Sequence, residues 1–395
     1  MPRHLPTLAL LASVGSAILL SSCEGGPTTP PLGADPDIPA AVAWNEVLLH
    51  SVAAHPWTPP HAARTFAYFG VAQLEALLEL EGGAGEGSTV AQRAAVAAAS
   101  AALLRQLYPM EESRIANAVQ RLGPRAGASA SQALIDIGRA AGIRAAERTV
   151  TRARSDGADA VWAGTVPTGP AKWLSSPTED PVAPMAGEML PWTMASVDDF
   201  MPPPPPAFDS AEFQASLAEV RALSDARTPE MTRIARFYEY GPGTPSPAGQ
   251  YVEVASELIV RDGLGELEAA RVYAVLGMAM ADAGIVAWRA KYLYWMLRPS
   301  QADEAITMPI ALPNFPAYPS GHSSFSGAAE VVLSAFFPAD AGELHRFAEE
   351  NGLSRIYGGV HFDFDNTVGL EIGRRVAPLA LSAGGRLPTA VLAAR

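Results

Sequence analysis

The chain has 395 residues, 49% of them hydrophobic, and a formal net charge of -13 at pH 7. That length can bury a large core or divide in two, and the acidic balance disfavours nucleic acid and anionic lipid as partners. Any cluster of cationic side chains therefore runs against the background and needs a reason.

At the N-terminus, Arg3 and His4 precede an apolar stretch from Leu8 to Leu20 that ends in Ser21-Ser22-Cys23. The stretch is too short for a membrane span, and the order charged, apolar, small is that of a signal peptide. Cys23 is the only cysteine in the chain. Having no disulfide partner and following the apolar stretch directly, it is expected to carry a lipid. Residues 1–22 thus read as a lipoprotein signal peptide, and residues 23–36, rich in Gly, Pro and Thr, as a flexible tether.

Beyond the tether, Ala-rich apolar periodicity dominates and alternating β-branched runs are scarce, so the fold class is expected to be all-α. Helices are predicted over about 38–53, 59–83, 89–107, 111–122, 128–154, 210–223, 228–240, 247–262, 266–297, 322–336, 339–351 and 366–384. Prolines crowd residues 165–209, including Pro202 through Pro206, which reads as an irregular connection. It divides the chain into a helical half at 37–164 and a second at 210–395. Within the second, residues 271–297 are apolar enough to suggest a membrane helix, but Asp282, Arg289 and Lys291 interrupt them and favour a buried helix.

Three segments near the C-terminus carry chemistry. In the first, Lys291 precedes Arg298-Pro299 by seven positions, two helical turns, which places both cations on one predicted face. Only two lysines, Lys172 and Lys291, occur in the chain, and a buried mid-helix ammonium is expected to meet an anion. The second segment, Pro319-Ser320-Gly321-His322, reads as a turn into a helix, with Ser320 as N-cap and Gly321 allowing close backbone approach. Free N–H groups at such a helix start can receive an oxyanion. In the third, Ser354-Arg355 is followed by His361 and, one turn on, by Asp365, which can hold the imidazole in one tautomer. His50, His55 and His61 are spread across Pro56, Pro59 and Pro60 and define no single face, and His345 stands apart, so none of the four is expected to hold a metal.

Together the three segments resemble the signature of the type 2 phosphatidic acid phosphatase and vanadium haloperoxidase superfamily. All eleven fixed identities are present in order: Lys291, Arg298, Pro299, Pro319, Ser320, Gly321, His322, Ser354, Arg355, His361 and Asp365. More loosely, the Pro202–Pro206 run, Phe237-Tyr238 and the Ala-rich stretch before Lys291 are similar to bacterial haloperoxidase-like proteins.

The resemblance implies a helical bundle of two packed halves with one pocket for vanadate, which phosphate can also occupy. It implies that Lys291, Arg298 and Arg355 neutralise equatorial oxygens and that Ser320 and the Gly321 N–H complete the hydrogen bonds. His361 becomes the axial vanadium ligand, oriented by Asp365, and His322 the acid and base at the opposite apex. Trp288 and Phe315 stand where fungal-type chloroperoxidases carry aromatic residues near the halide site. These two, with Phe362-Asp363-Phe364, favour a haloperoxidase using hydrogen peroxide, halide and an organic acceptor. The alternatives are a phosphatase acting on phosphoesters through a phosphohistidine at His361, and a phosphate-binding lipoprotein without catalysis. With Cys23, the expected location is that of an exported bacterial lipoprotein, anchored to a membrane and facing the periplasm or cell surface.

Overall fold

The computed structural model describes residues 37–55, 57–83, 85–123 and 129–384. The expected signal peptide, Cys23 and tether lie outside these residues. In chain order the α-helices are α1 (Ala40–Ala54), α2 (Pro59–Leu78), α3 (Thr89–Leu107), α4 (Glu112–Leu122), α5 (Ser129–Ala153), α6 (Ala211–Asp225), α7 (Pro229–Phe237), α8 (Ser246–Asp262), α9 (Glu266–Tyr294), α10 (Pro299–Ala302), α11 (Gly321–Phe336), α12 (Ala341–Tyr357) and α13 (Asp363–Gly384). No strand occurs among the described residues, only an isolated bridge between Lys172 and Met296. The expected all-α class holds, and every expected helix forms, α3 with the expected ends and the others with one or both ends shifted. The four-residue α10 had no sequence signal beyond Pro299.

Helix α9 is the axis of the fold. By length and composition it could cross a membrane, yet 94% of its apolar window is buried inside the protein. Its small residues let α2 cross at close range. A Cβ on Gly277 would lie 2.6 Å from the Ala67 Cα, and one on Gly70 would lie 2.6 Å from the Ala274 nitrogen. Backbones this close exclude any larger side chain at the crossing. Helices α11 and α13 pack against α9, and one apolar core runs from Val42 on α1 to Val376 on α13, so the two halves share it.

The irregular connection at 165–209 is tied to the helices that carry the site. Buried Asp282 on α9 accepts from the Trp192 N–H at 2.6 Å and from the Thr193 N–H and Oγ1 at 2.8 and 2.6 Å. Further along, Tyr294 Oη donates to the Pro202 carbonyl at 2.9 Å and Tyr318 Oη to the Pro203 carbonyl at 2.7 Å. The proline run, which lacks N–H donors, thus serves as an acceptor rail beside the site. Phe362 and Phe364 stack at 5.0 Å, and Phe362 meets Phe213 of α6 at 5.1 Å. These aromatics form a second core cluster behind the site, so their structural role is packing.

Candidate active site

Helix α9 ends at Tyr294, and Trp295 caps it in a left-handed conformation with φ 55°. The expectation that Lys291 and Arg298 share a helical face is therefore not met. Arg298 lies beyond the helix in extended backbone, with φ -84° and ψ 156°, and Pro299 opens α10. The turn at Trp295, not helical periodicity, brings the two cations together. They flank one ring: Lys291 Nζ is 5.1 Å and Arg298 Cζ 5.0 Å from the Phe315 centroid.

Lys291 is fully buried, and its ammonium donates to three main-chain carbonyls, Pro316 at 2.9 Å, Ala317 at 2.7 Å and Pro319 at 2.5 Å. All three protons are thereby engaged, so Lys291 fastens the segment leading into Ser320. That differs from the expected direct encounter with an anion, which stays at the level of field rather than contact. Arg298, also fully buried, donates through Nε and Nη2 to the Phe315 carbonyl at 3.1 and 2.9 Å. Its Nη1 reaches the Val360 carbonyl at 2.7 Å and His361 Nε2 at 3.0 Å.

The remaining cation behaves differently. Arg355, near the end of α12, is 2% exposed, and its Nε and Nη1 have no hydrogen-bond partner among the described residues. Burial pulls Arg298 down to about 9 and Arg355 down to about 10. Both are nonetheless cations at neutral pH.

Sequence reasoning placed Asp365 one turn beyond His361, and Asp365 Oδ2 indeed lies 2.8 Å from His361 Nδ1. The same oxygen accepts the Phe362 N–H at 3.1 Å at the start of α13. Because a guanidinium only donates, the lone pair of His361 is on Nε2 and its proton on Nδ1. Burial, then the positive charges of Arg298, Lys291 and Arg355, hold this imidazole well below its usual range and keep it neutral. Burial raises the Asp365 carboxyl, opposed by the Phe362 N–H and by Lys291 and Arg298.

Helix α11 begins as expected. Ser320 Oγ accepts the Ser323 N–H at 3.3 Å, and the Ser320 N–H donates to the Asp365 carbonyl at 3.0 Å, joining α11 to α13. A Cβ on Gly321 would stand 2.9 Å from the Trp288 ring, so glycine is required for that ring to pack against the start of α11. Trp288 is 1% exposed, meets Phe315 at 5.3 Å, and its Nε1 has no acceptor among the described residues. His322 is half-buried, and its Nε2 lies 3.1 Å from the Glu239 carbonyl. Burial and then the charge of Arg355 hold it well below the usual histidine range.

Buried Lys291, Arg298 and Arg355 thus stand around two neutral imidazoles with Asp365 as the buried carboxylate among them, and half-buried Glu239 acts on Arg355 from the edge. Buried cations in excess of carboxylates are unfavourable unless an anion joins them, and an unpartnered guanidinium fork matches an oxyanion's geometry. The donor set fits a tetrahedral oxyanion such as vanadate or phosphate: Arg355 N–H groups, Arg298, the α11 N-terminus and the His361 Nε2 lone pair.

Residues 272–387 match the family model of the PAP2 superfamily. That segment carries Lys291, Arg298, Ser320, Gly321, His322, Arg355, His361 and Asp365. Among solved structures, the chain is similar to a bacterial vanadium-dependent iodoperoxidase, with a TM-score of 0.75 and 22% identity over 89% of this chain and 97% of that one. It is also similar to a bacterial vanadium-dependent chloroperoxidase in its apo form, at 0.69 and 15% over 84% and 94%. For the holo form the values are 0.67 and 14% over 91% and 94%. At these identities the likeness establishes the fold. No curated protein matches the chain in sequence.

The sequence missed Glu239, whose carbonyl reaches His322 from between α7 and α8, because a main-chain carbonyl leaves no mark in residue identity. The same is true of the Pro316, Ala317 and Val360 carbonyls that hold the cations. His50, His55, His61 and His345 take separate partners: the Glu46 carbonyl, Glu111, Thr58 and Glu330.

Proposed function

We propose that the protein is a vanadium-dependent haloperoxidase that oxidises halide with hydrogen peroxide at vanadate held by His361. The observation that carries the choice is the wall of Trp288 against Phe315, flanking Lys291 and closing on Gly321. When bound, vanadate supplies Lewis acidity toward peroxide. His361 Nε2 carries the lone pair that would ligate it, in place of the Arg298 Nη1 hydrogen bond it now accepts, and Asp365 keeps the proton on the far nitrogen. Arg355 has Nε and Nη1 free to donate to its oxygens, and Arg298 lies against the nitrogen that would ligate it. Lys291 sets the Pro316–Pro319 carbonyls and adds positive field without moving. His322, neutral and next to Arg355, is placed to take and return a proton as acid and base. The aromatic wall excludes water, which strengthens these electrostatic terms.

The neutral His361 Nε2 would equally serve as nucleophile toward a phosphoester, so one experiment must separate the reactions. The full-length protein is loaded with orthovanadate, and peroxide-dependent halogenation of a diketone is followed with chloride, bromide and iodide beside p-nitrophenyl phosphate hydrolysis without vanadate. Halogenation is the expected result. Phosphate release that vanadate inhibits, with no halogenation, overturns the proposal in favour of a phosphatase, and neither activity points to phosphate binding alone. We also propose export and membrane anchoring through Cys23, checked by palmitate labelling that Cys23→Ser abolishes.

A further inference from the structure

The Glu239 carbonyl that meets His322 Nε2 at 3.1 Å can only accept, so the proton sits on Nε2 and the lone pair on Nδ1. Glu239 lies in the irregular strap between α7 and α8. Its carbonyl belongs to the rigid peptide plate shared with Tyr240, and the tilt of that plate depends on ψ of Glu239 and φ of Tyr240. At Tyr240 φ is 40°, a left-handed value that a bulky residue seldom adopts without being held.

Three side-chain contacts hold the strap, each to a different element. Tyr238 Oη donates to Glu350 Oε2 on α12 at 2.9 Å. Glu239 Oε1 accepts the Ala311 N–H at 3.1 Å. Tyr240 Oη donates to Glu253 Oε2 on α8 at 2.6 Å, with Gln250 also at the phenol, and the Glu253 contact holds the residue whose φ sets the plate. The Thr244 hydroxyl closes the turn on the Gly241 carbonyl at 2.7 Å.

We infer that Tyr240, held by Glu253, is a positioning residue: it aims the Glu239 carbonyl so that His322 keeps its proton on Nε2 and leaves Nδ1 to exchange protons with substrate. The part played in turnover rests on the haloperoxidase reading; the tautomer does not. The mechanism explains why a phenol and a carboxylate that touch no reacting atom pair, half-buried, beside the strap.

The test is nitrogen NMR of full-length protein carrying 15N-histidine, with His322→Gln assigning the signals. In the wild type, Nε2 of His322 should be the protonated nitrogen. Tyr240→Phe removes only the hydroxyl; both His322 nitrogens should then move toward averaged values while those of His361 stay, and kcat for halide oxidation should fall roughly tenfold with little change in the peroxide KM. Glu253→Gln, whose amide oxygen still accepts, should keep wild-type signals, and Glu253→Leu should reproduce Tyr240→Phe. A wild-type His322 protonated on Nδ1 overturns the inference, as do unchanged His322 signals in Tyr240→Phe and Glu253→Leu. Should Tyr240→Phe not fold, the wild-type tautomer and Glu253→Leu decide. Absent halide oxidation with the expected signals overturns the reaction and upholds the tautomer lock.

Discussion

Buried charge is handled in opposite ways in the scaffold and at the site. Around α2 and α5, Asp156 accepts from Arg64 at 2.6 Å, from Tyr68 Oη at 2.7 Å and from the Ala158 N–H at 3.1 Å. Glu266 caps the start of α1 through the Ala40 N–H at 2.7 Å and takes Arg93 at 3.2 Å. These acids are matched by donors on the spot, as fold stability requires. At the site, Lys291 and Arg298 are satisfied mainly by neutral carbonyls, while Arg355 Nε and Nη1 remain unpartnered. The contrast separates charge that holds the fold from charge that awaits a ligand.

The largest effect expected is on turnover. His361→Ala removes the ligating or attacking nitrogen and should lower activity on the order of a thousandfold or more with the fold intact by circular dichroism. Full activity in that variant would remove the site from the account. On the scaffold side, Asp156→Ala leaves Arg64 and Tyr68 without their acceptor and should lower unfolding free energy by about 3–5 kcal/mol, read by denaturant titration. Its oxyanion affinity should stay within about threefold of wild type, since a distant change adds independently.

Arg355→Met sharpens the same contrast. Losing charge-assisted hydrogen bonds worth about 1.5–3 kcal/mol should weaken oxyanion binding by roughly ten- to a hundredfold. Removing an unpartnered buried cation should at the same time stabilise the anion-free protein by about 1–3 kcal/mol. Stabilisation absent and affinity unchanged would place Arg355 with the scaffold charges.

The smallest effect is a pH slope. His322 and His361 are held well below their usual range by burial, so below the unfolded value of 6.5 the unfolded chain binds protons that the folded chain does not. Their contribution is therefore present above pH 6.5 and falls as pH drops below it. Glu253 and Glu266, raised by burial, act with the opposite sign. Replacing His361 with Gln should make the acid-side loss shallower by about 1.4 kcal/mol per pH unit, measured as unfolding free energy between pH 6.5 and 5. An unchanged slope would mean that the imidazole is not held neutral.

Much of this was legible in residue types. Alanine-rich periodicity announced the helices, and the three motif segments announced the site members, because charge, imidazole and glycine identities are what the chemistry requires. What escaped was set by backbone. Nothing in Trp295 announces a left-handed cap, so helical periodicity alone predicts for Arg298 a helical face it does not occupy. The carbonyls that engage Lys291 and fix His322 have no sequence identity, and Phe362 and Phe364, suggestive as neighbours of His361, turn out to pack on Phe213.

The most direct test of the central claim is a calorimetric titration of the full-length protein with orthovanadate. The account predicts one equivalent bound per chain, competition by phosphate, and binding weakened in Arg355→Met and lost in His361→Ala. Absent binding, or binding that both variants leave undiminished, would contradict it.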